Sequence, residues 1–270
     1  MSWRSIGGAA VLALGATGPA PAQAPMTATA PAPVSTRPPG YLSATNPDTY
    51  AILPPAPVAG TIRYEADRQM FKQTRAFEGS PRWALARIDD NQPALLKHLA
   101  CAVGVELTAV NAPVTARMMS RVMTDASILT NRPKDIYKRQ RPYLIDEGPT
   151  CVAKTDALAA SPDYPSGHNT AGWTYGLILA ELAPDRATPI LQRARAFGES
   201  RLVCGVHNLS AVEAGRMNAS IIVAGLHGVD EFRRDMDIAR QEVAAARKAG
   251  PAPDPATCAR EAELISKSPY

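Results

Sequence analysis

The stretch Gly167–Ala183, GHNTAGWTYGLILAELA, decides how the rest of the chain is read. Its apolar residues fall on most sides of a helical projection, which predicts a helix buried nearly all round at the centre of a bundle. The segments around it read as helices too. Thr61–Phe77 and Pro81–Asp90 carry apolar residues at three-to-four spacing, and Pro93–Leu107 is apolar enough for a core helix. A further helix opens at Pro113, a residue suited to the first turn, and is expected to stop at Asn131, ahead of Pro133. Another begins at Asp185 as N-cap, and the last long one, Val229–Ala249, is charged and closes at Gly250-Pro251. Alternating β-branched runs bounded by turn dipeptides are almost absent, and no period of 20–50 residues repeats. The expected fold is all-α, a single-domain helical bundle.

The ends of the chain are different in kind. Arg4 precedes the apolar run Ile6–Ala16, and small residues including Ala22–Ala24 follow, the layout of a secretory signal over residues 1–24. That run is shorter than the roughly 20 residues a bilayer-spanning helix needs. Residues 25–39 are proline, alanine and threonine, a stiff tether unable to bury a core. The folded domain is therefore expected over residues 40–250, about 210 residues and enough for one sizeable core, with a tail at 251–270. These features predict an exported, periplasmic or secreted protein with no membrane span. A net charge of +4 suits an anionic small molecule at a local site better than nucleic acid, which calls for a concentrated basic stripe. Cys101, Cys151, Cys204 and Cys258 lack zinc-ligand spacing. In an exported chain their even number favours one or two disulfides, with the pairing open.

Three short segments carry chemistry. In KDIYKRQRPY, Lys134 and Arg141 are seven residues apart, which on a helix ended by Pro142 puts both cations on one face, where they suit the oxygens of a phosphate. In YPSGHNTAGW, Ser166 reads as an N-cap, so the amides of Gly167 and His168 lie in an unsatisfied first turn, an anion site, with His168 beside it for general acid work. In SRLVCGVHNLS, Arg201 finishes one helix, His207 lies on the connection, and Ser210 caps the next helix. Taken singly, each has a plainer reading: a solvated helix end, a capped helix, a loop histidine. His98 and His227 read as helix-face and helix-end residues with no ligand role.

Together these segments, K-x6-R-P, P-S-G-H and S-R-x5-H in that order, resemble the signature of the phosphatidic acid phosphatase type 2 superfamily, which also contains vanadium haloperoxidases. The flanks LPPAP (Leu53–Pro57), RAFEGSPRWALARIDD and VCGVH…VEAGR narrow the likeness to the class A nonspecific acid phosphatases, over roughly residues 40–245. The resemblance implies a phosphomonoesterase with neither metal nor cofactor. His207 would be the nucleophile that forms a phosphohistidine, and His168 the general acid and base. Lys134, Arg141, Ser166, Gly167 and Arg201 would bind the phosphoryl group. It further implies small phosphate esters as partners, phosphate or vanadate as inhibitors, and a homo-oligomer.

One position departs from the pattern. The family's third segment ends H-x3-D, the aspartate holding the nucleophile's far ring nitrogen; here that position is Ala211. Loss of such a carboxylate in a serine protease costs about 10⁴ in rate. The expectation is an impaired or retuned nucleophile that Ala211→Asp would quicken, unless Glu213, Glu199 or a backbone carbonyl stands in. Glu213 has a competing use, because Ser210–Glu213 reads as a capping box. Two alternatives to the phosphatase stay open at this point: a vanadium-dependent haloperoxidase, and a non-catalytic phosphate-ester binding protein.

Overall fold

The computed structural model describes residues 38–270, in which helices supply all the regular structure and no sheet occurs. The helices are α1 (Thr49–Ile52), α2 (Ile62–Thr74), α3 (Pro81–Ile88), α4 (Leu95–His98), α5 (Ala100–Val103), α6 (Pro113–Tyr137), α7 (Asp156–Ala160), α8 (Gly167–Leu182), α9 (Ala187–Val203), α10 (Leu209–His227), α11 (Asp230–Ala249) and α12 (Pro255–Ile265). The chain is all-α, as its sequence predicts. No helix among the described residues is long and apolar enough to cross a membrane. The signal segment 1–24 and most of the tether 25–39 lie outside the described residues.

Helix α8 is the central element, packed along α9 on one side and α10 on the other, with α6 and α11 completing its surroundings. The close approach rests on missing side chains. A Cβ on Gly172 would sit 2.6 Å from the Phe197 ring, and one on Gly176 2.4 Å from the Ala194 methyl, so α9 lies almost against the α8 backbone. On the other flank a Cβ on Gly215 of α10 would stand 2.6 Å from Asn169 Cβ and 2.7 Å from the Ser166 carbonyl. These contacts set the N-terminus of α8 beside the N-terminus of α10. The main core then forms from Met118, Val122 and Leu129 of α6, Ile178 and Leu179 of α8, Phe197 of α9, Ile222 and Leu226 of α10 and Phe232 of α11.

Several local expectations yield to tertiary partners. Helix α6 does not stop at Asn131 but runs through Pro133 to Tyr137. A proline removes the hydrogen bond to the carbonyl four residues back, here that of Leu129. The buried Thr49 hydroxyl donates to that carbonyl at 2.8 Å, so the freed acceptor is satisfied from α1 and the helix continues. Helix α6 ends instead at Lys138, in the left-handed region with φ 47°. Arg141 follows in extended backbone, as the residue before a proline prefers, so Lys134 and Arg141 do not share a helix face. Pro93–Leu107 breaks into a 3₁₀ turn, α4 and α5. Asp185 falls inside a 3₁₀ turn ahead of α9, and α10 starts at Leu209 with Asn208, not Ser210, as its N-cap. The C-terminal stretch is no mere tail, because α12 lies against α9 and is tied to α5 by the Cys101–Cys258 disulfide. The second disulfide, Cys151–Cys204, anchors the connection after α9.

The α1–α6 contact makes a stability prediction. Thr49→Val keeps the shape and leaves the Leu129 carbonyl buried without a donor, which costs about 1–3 kcal/mol. Thermal unfolding followed by circular dichroism is expected to show a midpoint lower by about 2–10 °C. An unchanged midpoint would mean that Pro133 needs no such compensation.

Candidate active site

The three chemistry-bearing segments meet in one cleft of about 400 Å³. Lys134, Arg141, Gly167, His168, Arg201 and His207 all line it, together with Asp90, Gln92, Ser127, Asn131, Leu158 and Ser161. Ser166 stands behind the wall, fully buried. Its hydroxyl caps α8 toward the Asn169 amide and side chain, and its own N–H donates to the Ala211 carbonyl at 2.9 Å.

Each cation is placed by an acceptor on another element. Lys134, in the last turn of α6, donates to the Pro162 carbonyl. The Arg141 guanidinium donates to the Ser161 carbonyl at 2.7 Å and to the Val206 carbonyl at 2.7 Å, and its Nη1 lies 3.3 Å from His207 Nε2. Arg201, near the end of α9, pairs with the Asp90 carboxylate at 2.5 Å. Behind it Ser200 faces away from the cleft into a buried network: Arg82 donates to its hydroxyl, and that hydroxyl donates to Asp89, which Arg193 also binds. Gly205 makes the turn from α9 toward His207 at φ 78°, with the Arg75 guanidinium where a side chain would stand. Arg75 in turn donates to the Leu202 and Val203 carbonyls and fixes that turn.

The two imidazoles differ in their surroundings. His168 Nε2 lies 3.1 Å from the Asp90 carbonyl, and its ring stacks on Phe197 with centroids 5.7 Å apart. His207 is buried, and its Nδ1 lies 2.8 Å from Oδ1 of Asp163. That carboxylate also accepts from the backbone N–H of Asn208 at 3.1 Å and from its side-chain amide at 2.9 Å, and Arg139 stands 3.5 Å away. Of the expected stand-ins neither glutamate reaches the ring, whereas a backbone carbonyl, that of Asp163 itself, does lie beside it. Glu199 pairs with Arg216 and Arg195, and Glu213 is exposed on α10. Nothing local singles out Asp163, which lies on the flank of the second segment, 44 residues from His207 along the chain. Asp90, whose carboxylate meets Arg201 and whose carbonyl meets His168, likewise reads in sequence only as a flanking residue.

The charges tune one another. Burial first, then the neighbouring Arg141 and Arg201, pulls the Lys134 ammonium down to about 7. Burial with Arg141, Lys134 and Arg201 holds His207 well below the usual imidazole range. Burial with Arg201, His207 and Arg141 does the same for His168. Such a cleft is electrostatically unfinished and favours a compact polyanion. Among the described residues no group of three or more His, Cys, Asp or Glu is placed to hold a metal ion. His98 bonds to the Asn91 carbonyl and His227 to Glu181, both away from the cleft.

Comparison with known proteins shows the family. The family model for the PAP2 superfamily matches residues 116–234, from the first turn of α6 into α11. The chain is 42% identical to an acid phosphatase of Zymomonas mobilis over 78% of its own length and 81% of that protein. It is 34% identical to a non-specific acid phosphatase of Providencia stuartii, over 78% of its length and 91% of the relative. A non-specific acid phosphatase of Salmonella typhimurium is 30% identical, over 71% and 78%. A helical bundle that gathers three cations and two imidazoles around one cleft, in a sequence this close to those enzymes, belongs to the nonspecific acid phosphatases of the PAP2 superfamily.

Proposed function

We propose that this acid phosphatase hydrolyses phosphate monoesters through a phosphohistidine on His207, with His168 as general acid and then base. The observation that carries the reading is the 3.3 Å approach of His207 Nε2 to Arg141 Nη1, with Nδ1 already engaged elsewhere. Only Nε2 is left to face the cleft, and it faces the place where the cations would hold a phosphoryl group. In the first step the Nε2 lone pair forms a bond to phosphorus. The bond from phosphorus to the ester oxygen breaks, and His168 gives that oxygen a proton. In the second step His168 takes a proton from water, the water oxygen bonds to phosphorus, the P–N bond breaks, and inorganic phosphate leaves.

The electrostatics suit work in acid. A nucleophilic imidazole must be neutral, and a depressed pKa keeps His207 neutral at a pH where an ordinary histidine is protonated. His168 must instead carry a proton when the ester is bound. A dianion placed among Lys134, Arg141 and Arg201 offsets the charges that lower its pKa in the empty cleft. The same cations stabilise the charge on the equatorial oxygens in transfer, which is most of what a protein must supply for phosphoryl transfer. Ser166 acts by capping α8, so that the Gly167 and His168 amides face the anion. The donor set is cationic and fits an oxyanion, and phosphate or vanadate would compete with the ester for it. The N-terminal signal layout supports export to the periplasm or medium.

Rapid acid-free quenching of wild type with a slow ester, followed by mass spectrometry, is expected to find a phosphoryl group on His207. The variant His207→Ala is expected to lose roughly 10³-fold or more in kcat. Full turnover without any phosphorylated histidine would remove the covalent route.

Lys134 gives the pH signature. Above about pH 7 the empty cleft loses this charge, whereas a bound dianion raises the lysine's pKa, so binding takes up a proton there. Between pH 7 and 9, where a monoester is already dianionic, KM is expected to climb steadily. Lys134→Met is expected to raise KM at pH 6 by about 10- to 100-fold, the worth of a charge-assisted hydrogen bond, and to flatten the alkaline rise. A rise of equal slope in the variant would assign it to another group.

A further inference from the structure

We propose that Asp163 is the positioning carboxylate of His207, taking the place of the aspartate absent at position 211, so that Ala211 leaves the enzyme unimpaired. The inference rests on the phosphohistidine reading and adds to it which residue holds the nucleophile and from which direction.

The surroundings of Asp163 are those of a committed anion. It is fully buried on the loop before α8, and its backbone N–H donates to the Arg139 carbonyl at 2.8 Å. One carboxylate oxygen accepts from His207 Nδ1 and the Asn208 N–H, and the other from the Asn208 side-chain amide, with Arg139 behind it. Burial pushes its pKa up, yet apart from the ring itself its polar partners, the two Asn208 donors and the Arg139 guanidinium, all favour the carboxylate over the carboxyl. The proton shared with the ring therefore sits on Nδ1, which leaves a lone pair on Nε2 for phosphorus. Once Nε2 is phosphorylated the ring becomes cationic, and the same carboxylate stabilises it.

Asn208 shows what the arrangement costs. As N-cap of α10 its side chain would ordinarily accept from the first helical amides, but it makes no such bond and donates to Asp163 instead. Arg139 is shared in the same way, binding Asp67 and Ser210 as well as facing Asp163. Position 211 has meanwhile become apolar. Ala211 is fully buried in a cluster with Leu53, Tyr164 and Ala214, and its carbonyl is taken by the Ser166 N–H. A carboxylate introduced there would enter apolar surroundings while the ring already has its partner.

The test separates the inference from the reading it rests on. Nitrogen-15 NMR of wild type is expected to show the His207 proton on Nδ1; a proton on Nε2 in the resting enzyme overturns the proposal, and this measurement needs no variant to fold. Asp163→Asn can present its amide to the ring and force the proton to Nε2, so kcat is expected to fall by about 10²- to 10⁴-fold with KM changed less than about threefold. Ala211→Asp alone is expected to give no gain in kcat. Of two variants, Asp163→Ser and Asp163→Ser combined with Ala211→Asp, the second is expected to be at least about tenfold faster. A folded Asp163→Asn enzyme that phosphorylates His207 at the wild-type rate, a tenfold gain from Ala211→Asp by itself, or no rescue in the double variant would overturn the inference and leave the covalent route standing. Absence of phosphohistidine in wild type would instead remove the reading beneath it.

Discussion

Three buried cations, Lys134, Arg141 and Arg201, line one cleft and repel each other, so the fold must hold them in place. The loop at residues 161–163, between α7 and α8, does most of that holding. The Ser161 carbonyl fixes Arg141, the Pro162 carbonyl fixes Lys134, and the Asp163 side chain fixes His207. Three consecutive residues thus orient a cation from α6, a cation from the segment after it, and the His207 imidazole before α10. Arg201 alone is held from elsewhere, by Asp90, whose side chain is 40% exposed at the rim of the cleft. That partner is placed to yield Arg201 to a phosphoryl oxygen, whereas the carbonyls at 161 and 162 leave the cations their charge.

In the proposed reaction this division lets one set of groups both bind and react. Carbonyls orient cations without neutralising them, so the positive field stays intact, and burial amplifies its effect on the imidazoles and on Lys134. A single carboxylate within reach of the His207 ring works against that field on the side of the ring that does not react. The His207 imidazole is kept neutral by the cations on its Nε2 side and kept oriented by the anion on its Nδ1 side. Removing the preorganised carbonyls would require the chain to assemble this charge distribution anew with each substrate, which is the reorganisation that preorganised electrostatics avoids.

The sequence made legible those parts of the site that are covalently local. Ser166 capping α8, the amides of Gly167 and His168 behind it, and the turn that carries His207 are set by neighbours within a few residues. The all-round apolar character of Gly167–Leu182 likewise identified the central helix, since only burial on every side accounts for it. What could not be read was decided by distant partners. Pro133 reads as a stop, and continues only because the Thr49 hydroxyl reaches the Leu129 carbonyl. Lys134 and Arg141 read as one helix face, yet meet across a chain reversal held by carbonyls at 161 and 162. Asn208 reads as nothing in particular, and Ser210 as a cap, because the buried anions that claim them, Asp163 and Asp67, lie 45 and 143 residues away. A local rule such as the capping box holds only while no buried charge outbids it.

The same logic accounts for how a supporting carboxylate can change its place in the chain. A histidine nucleophile imposes a geometric demand on its partner: an acceptor in reach of Nδ1, on the side away from phosphorus. The N-termini of α8 and α10 are clamped together by Gly215 and by the Ser166–Ala211 backbone hydrogen bond, so the loop leading into α8 and the first turn of α10 lie side by side. The donors serve the first of the two: Asn208 and Arg139 face position 163, while Leu53 and Tyr164 close around position 211. On the proposed reading the electrostatic role is kept at the ring, and the residue that performs it stands at position 163 instead of 211.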